Sequence, residues 1–67
     1  MERKQLKQLK KNEFFRLVES DTAPVWMKTG AHIRRGGMTK YEAQKYEDYN
    51  HLNYFGADKV VFVGFTY

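Results

Sequence analysis

From Val25 to Arg34 the sequence alternates with a period of two, setting Val25, Met27, Thr29, Ala31 and Ile33 on one face and Trp26, Lys28, Gly30, His32 and Arg34 on the other. That spacing keeps each set on one side only in an extended strand. Gly36-Gly37 follows at once. Glycine takes the positive φ of tight turns at no steric cost, so the chain is expected to fold back as a hairpin through Thr39 to Asp48. Closure on the two glycines alone sets Lys28 opposite Lys45 and Ile33 opposite Lys40, both unfavourable cross-strand pairs. A longer loop, Arg35 to Thr39, aligns Ile33 with Tyr41, Ala31 with Ala43, His32 with Glu42 and Lys28 with Tyr46, and is the expected register. A helix competes for this return segment. Thr39-Lys40-Tyr41-Glu42 fits a capping box and Ala43, Gln44, Lys45 and Glu47 tolerate helix, but the strand is the reading adopted.

Lys59 to Tyr67 forms the clearest strand. Val60, Phe62, Gly64 and Thr66 alternate with Val61, Val63, Phe65 and Tyr67, so both faces are largely apolar, as in the interior of a sheet or at an interface. Phe15 and Leu17 alternate against Phe14 and Arg16 as a short strand, and Glu19 to Pro24 is a turn-rich break that leads into the next strand. Residues 2 to 11 are good helix formers with only Leu6 and Leu9 as apolar anchors, which predicts a frayed or partner-dependent helix. Tyr49 to Gly56 suits a short helical turn stopped by Gly56.

The predicted fold is therefore mainly β: an antiparallel sheet of about four strands curled into a small barrel or half-barrel, with the short helical turn before the last strand. The order of elements is similar to that of small SH3-like barrels. Residues 1–12 are expected to form a flexible basic N-terminal arm and 13–67 a single small globular domain.

A chain of 67 residues buries only about 60% of the surface that its unfolded state exposes. With no cysteine and no ligand cluster to staple it, self-association is an expected source of stability. The absence of cysteine predicts a cytoplasmic setting. The N-terminus leads into lysine rather than an apolar signal segment, and the run Val60 to Phe65 is too short to span a bilayer, so no membrane role is expected.

The net charge of +4 is not evenly spread. Arg3, Lys4, Lys7, Lys10 and Lys11 face only Glu2 in the first twelve residues, whereas the remaining cations and acids balance at seven each. Attraction to phosphates must then come from the arm or from a local patch.

Catalytic machinery is not expected. Ser20, the single serine, lies in Ser20-Asp21, a pair that turns use to bond their own backbone, and nothing brings it to His51 and Asp48. Glu47 and Asp48 are neighbours that a strand sends to opposite faces. His32 and His51 lack the short ligand spacing of a metal site. No cofactor, metal or small-molecule substrate is indicated.

The leading expectation is a non-enzymatic binding module for a protein partner, or a second copy of itself, through an aromatic sheet surface. Trp26, on the more polar face of its strand, is expected to be partly exposed, with Tyr41 and Tyr46 beside it as partner-binding residues. Most tyrosines among Tyr41, Tyr46, Tyr49 and Tyr54 are expected to fill the core. The alternative is nucleic-acid binding through Arg3, Lys4, Lys7, Lys10 and Lys11 of the arm, with Arg34, Arg35 and Lys40 of the hairpin tip.

Overall fold

Two extended segments joined by Gly36-Gly37 form the spine of the structure. The computed structural model describes residues 2–65, without the side chain of Tyr49; Thr66 and Tyr67, expected in the last strand, lie outside it. The strands are β1 (Glu2–Gln5), β2 (Phe14–Arg16), β3 (Val25–Arg35), β4 (Met38–Lys45), β5 (Asp48–Gly56) and β6 (Val60–Val63), with a single 3-10 turn at Leu6–Gln8. They pair antiparallel in one sheet of order β1-β6-β2-β3-β4-β5.

The mainly β, antiparallel expectation holds, with six strands in place of four. The sheet curls but does not close into an SH3-like barrel, because its edge strands β1 and β5 do not pair with each other. Its curvature is measured by Phe15 on β2 and Phe55 on β5. Their ring centroids are 6.4 Å apart, whereas three strand spacings in a flat sheet span about 14 Å.

The hairpin closes on the two glycines after all. Arg35 pairs with Met38, and Gly36 and Gly37 have φ of 59° and 79°, the two positive values that a type I′ turn needs. Ile33 does lie opposite Lys40, but Lys28 lies opposite Ala43 instead of Lys45. A bulge removes the like-charge clash. Between the pairs Lys28–Ala43 and His32–Tyr41, the three residues Thr29, Gly30 and Ala31 span what Glu42 alone spans on β4. Gly30, at φ 98°, supplies the conformation, and the freed groups find partners in the Thr29 hydroxyl, which donates to Glu42 Oε1 at 2.8 Å and accepts from Ala31 N–H at 3.3 Å. The longer Arg35–Thr39 loop is thus corrected, and with it the pairings His32–Glu42 and Lys28–Tyr46.

The two helical expectations are also corrected. Tyr49 to Gly56 lies within β5, where Glu42 pairs with Tyr54 and Tyr41 with Phe55. Residues 2–5 form β1 on β6 instead of a helix. β6 is the central apolar strand anticipated from its sequence, and its backbone donors and acceptors need partners on both sides. β2 meets it at Arg16–Phe62, and β1 supplies the other side. Pairing here overrides the helix propensity of Glu2–Gln5.

The core lies on the concave face: Leu6, Leu9, Phe15, Trp26, Ala43, Val61 and Val63, with Leu17, Tyr41 and Phe55 packed against it. Leu6 and Leu9, too few to hold a helix, together plug the open end of the curl. Trp26 is buried, at 6% exposure, and meets Phe55 and His51 edge-on at 5.3 and 5.5 Å. The expectation that it is an exposed anchor fails because the apparently polar face of β3 is the core face. Its lysine, Lys28, is itself buried.

Candidate functional site

Strand pairing gathers the charges that the sequence spreads out. β3 and β4 end in a ribbon whose tip is two-stranded: residues 34–35 and 38–39 pair only with each other, Lys40 and Tyr41 still pair with β5, and every residue from Ala31 to Met38 is exposed. Arg34 and Arg35 stand at its tip, with Lys40 on its return strand. Beside the β3 arm, the turn Lys10–Glu13 is held by Lys10 N–H donating to Glu13 Oε1 at 2.7 Å and Asn12 N–H donating to the Lys28 carbonyl at 2.7 Å. The aliphatic stem of Lys11 passes over Gly30, where an added Cβ would lie 3.0 Å from it.

On the β4 arm, Ala57 N–H donates to the Thr39 carbonyl at 3.0 Å, which brings the β5–β6 turn with Asp58 and Lys59 alongside. The Leu6–Gln8 turn closes the floor through Lys7 N–H to the Ala57 carbonyl at 2.9 Å and Leu6 N–H to the Lys59 carbonyl at 2.9 Å. A groove of about 280 Å³ runs between the ribbon tip and this turn, lined by Lys7, Gly37, Met38, Thr39, Asp58 and Lys59 among others.

This end carries Lys7, Lys10, Lys11, Arg34, Arg35, Lys40 and Lys59 against Glu13, Asp58 and, opposite the bulge at Gly30, Glu42. Glu13 is engaged with backbone, and Asp58 meets Lys7 at 2.9 Å in an exposed pair of little energetic weight. The opposite end carries Glu19, Asp21, Glu47 and Asp48 against Arg16 and Lys45, on and beside the β2–β3 and β4–β5 connections, which meet where Tyr46 N–H donates to the Val25 carbonyl. The molecule is a charge dipole along its β3–β4 axis, although its sequence outside the first twelve residues is neutral.

Six of the eight cations predicted from sequence, Lys7, Lys10, Lys11, Arg34, Arg35 and Lys40, meet at this end. Arg3 and Lys4 do not; they lie along the edge strand β1, opposite Phe62 and Val61. Lys59 was missed. Its only signal is its place beside Asp58 at the start of the apolar strand, and its approach to the ribbon depends on a backbone contact between residues 57 and 39. The three aromatic candidates are not brought together. Trp26 is core, Tyr41 is half-buried beneath the ribbon, and Tyr46 sits at the acidic end against Phe14, ring centroids 5.5 Å apart.

Lys28 anchors the base of the ribbon. Its ammonium donates to the carbonyls of Leu9 at 2.6 Å and Leu6 at 3.1 Å and lies 4.0 Å from the Tyr41 ring centroid. Burial pushes its pKa down from the ordinary lysine value, partly offset by Glu13. On the convex face, Glu42 accepts from the Tyr54 hydroxyl at 2.9 Å, and that bond to a carboxylate raises the Tyr54 pKa.

Ser20 serves its turn, its Oγ accepting from Thr22 N–H at 3.2 Å. Among the described residues, no three His, Asp or Glu side chains converge to hold a metal ion, and no helix is long and apolar enough to cross a membrane. Comparison with protein-family models, curated proteins and solved structures finds no match to this chain.

Proposed function

We propose that this protein is a non-enzymatic module that binds nucleic acid through the basic end of its sheet. One observation carries this reading: segments distant in sequence, 7–11, 34–40 and 59, put their cations at a single end while the acids of the β2–β3 and β4–β5 connections lie at the other. Polyanion binding rewards such an arrangement because each neutralised phosphate releases condensed counterions. The sequence favoured a protein interface built on Trp26, Tyr41 and Tyr46, and the burial of Trp26 with the separation of Tyr46 takes support from it.

The test is the salt dependence of binding to a mixed pool of short nucleic acids. Replacing Arg34 and Arg35 by Ala is expected to weaken binding and to lower the slope of log K against log salt by about one per lost phosphate contact. Affinity and slope both unchanged by the substitutions would remove these residues from the interface.

A protein partner retains one specific observation. On the convex face Phe14, Met27, Gln44 and Leu52 form a directly paired row across four strands, and Leu52 is 51% exposed. Solution mass with and without Leu52→Lys measures self-association through that face.

A further inference from the structure

We infer that the Ala31–Lys40 ribbon enters the major groove of duplex DNA while Lys10, Lys11 and Lys59 hold the phosphates on either side. The inference rests on the nucleic-acid reading above and specifies its ligand.

The ribbon's dimensions suit the site. Two strands about 4.8 Å apart, each rising about 3.4 Å per residue, make a free tip of about 7 Å over the pairs Arg34–Thr39 and Arg35–Met38, with the glycine turn beyond them. A B-form major groove, about 12 Å wide and 8.5 Å deep, admits a two-stranded ribbon. Residues 34–35 and 38–39 pair with nothing but each other, so a tip inserted to that depth breaks no other strand pairing, whereas Lys40 and Tyr41, opposite Ile33 and His32, also pair with Gly56 and Phe55 of β5.

Its chemistry suits the site too. The register puts Arg34 and His32 on one ribbon face and Ile33, Arg35, Met38 and Lys40 on the other. Arginine is the commonest bidentate reader of the guanine edge, and exposed apolar groups, here Met38 at 62% and Ile33 at 39% exposure, meet thymine methyls. The flanking cations lie on opposite sides of the ribbon, Lys10 and Lys11 beside β3 and Lys59 beside β4. A groove likewise presents a phosphate wall on each side of whatever enters it.

The aromatic side chains argue against a single strand. Binding to unpaired bases relies on exposed ring platforms within a basic groove. Here Trp26 is buried, Tyr46 lies at the acidic end, and the Tyr54 hydroxyl is engaged by Glu42 on the convex face. Duplex RNA is disfavoured because its A-form major groove is too deep and narrow for side chains to read.

The experiment measures binding of the full chain to a short mixed-sequence DNA duplex, to one of its single strands and to the matching RNA duplex at equal salt. Dimethyl sulfate probing of guanine N7 on the DNA duplex accompanies it. The inference expects the DNA duplex to bind about tenfold tighter than the other two, with guanine N7 protected. Arg34→Ala with Arg35→Ala should cost about tenfold on the duplex, and Lys10→Ala with Lys59→Ala should lower the salt slope by about two. Equal or tighter binding to the single strand or to RNA, unprotected N7, or duplex binding indifferent to the arginines overturns the ribbon inference and leaves nucleic-acid binding standing. Absence of salt-dependent binding to all three ligands overturns both.

Discussion

The Lys28 ammonium lies 2.6 Å from the carbonyl oxygen of Leu9, joining the third strand to the segment that plugs the open end of the sheet. Leu6 O has a second donor in Leu9 N–H, so removing Lys28 orphans chiefly the Leu9 carbonyl and empties the volume of a long side chain. Lys28→Ala is expected to destabilise by about 2–5 kcal/mol. Lys28→Met should recover part of that by refilling the space. Denaturant unfolding of the two variants beside the parent checks the order; equal losses would show that packing plays no part.

The same lysine sets a pH dependence. Burial lowers its folded pKa below the ordinary 10.5, so in the interval below that value the folded state sheds a proton that the unfolded state keeps. Stability then rises with pH through that interval, and the contribution is lost again as pH falls through the folded pKa. Measured relative to Lys28→Met, the stability of the parent should increase as pH rises towards the ordinary lysine value of 10.5. A flat difference would contradict the burial of the charge.

Gly30 holds the bulge with a φ that side-chain-bearing residues rarely adopt. Gly30→Ala is expected to cost about 1–3 kcal/mol. The added Cβ also meets the Lys11 stem at 3.0 Å, a flexible neighbour that can move. Gly30→Ala measured in a Lys11→Ala background should therefore lose nearly as much as in the parent. Full recovery there would assign the cost to crowding instead of backbone conformation.

The Tyr54 phenol should ionise above its ordinary value of 10.0, because its hydroxyl donates to the Glu42 carboxylate. Its linkage has the opposite sign to that of Lys28: the contribution is intact below the unfolded pKa and lost as pH rises through the folded one. A difference titration between the parent and Tyr54→Phe, followed by ultraviolet absorbance, isolates this group. Glu42→Gln should bring it down towards the ordinary value.

Leu6 is fully buried, so Leu6→Ala should cost about 2–5 kcal/mol. Thermal unfolding of Leu6→Ala beside Lys7→Ala separates packing from charge, since Lys7 holds only an exposed ion pair with Asp58 and should shift the midpoint little. Deleting residues 1–12 removes β1 and both plug leucines with the basic residues, so interface mapping needs charge substitutions and not truncation.

Local signals carried much of the fold. The alternation of Val25–Arg34, the paired glycines and the doubly apolar run from Val60 are properties of neighbouring residues, and they gave the β3 strand, a hairpin at the glycines with a shorter loop than expected, and a last strand that ends at Val63 with Gly64 and Phe65 outside it. Even the objection to two-residue closure was sound, since Lys28 cannot face Lys45 comfortably. The structure answers it with three residues against one at Gly30, a device that a lone glycine inside an alternating pattern hinted at.

What remained hidden depends on neighbours distant in sequence. Trp26 looked exposed because its face carried a lysine, and that lysine is buried only because the Leu6–Leu9 segment offers two carbonyls and Tyr41 a ring. Glu2–Gln5 became a strand because β6 needed a partner, and residues 49–56 because β4 exposed an edge to them. The basic end has the same origin. Composition determined how many cations the chain has and which local segments hold them. Only the pairing of strands, through contacts such as Ala57 N–H to the Thr39 carbonyl, decided that they face one way, because charge adds up in space and not along the chain.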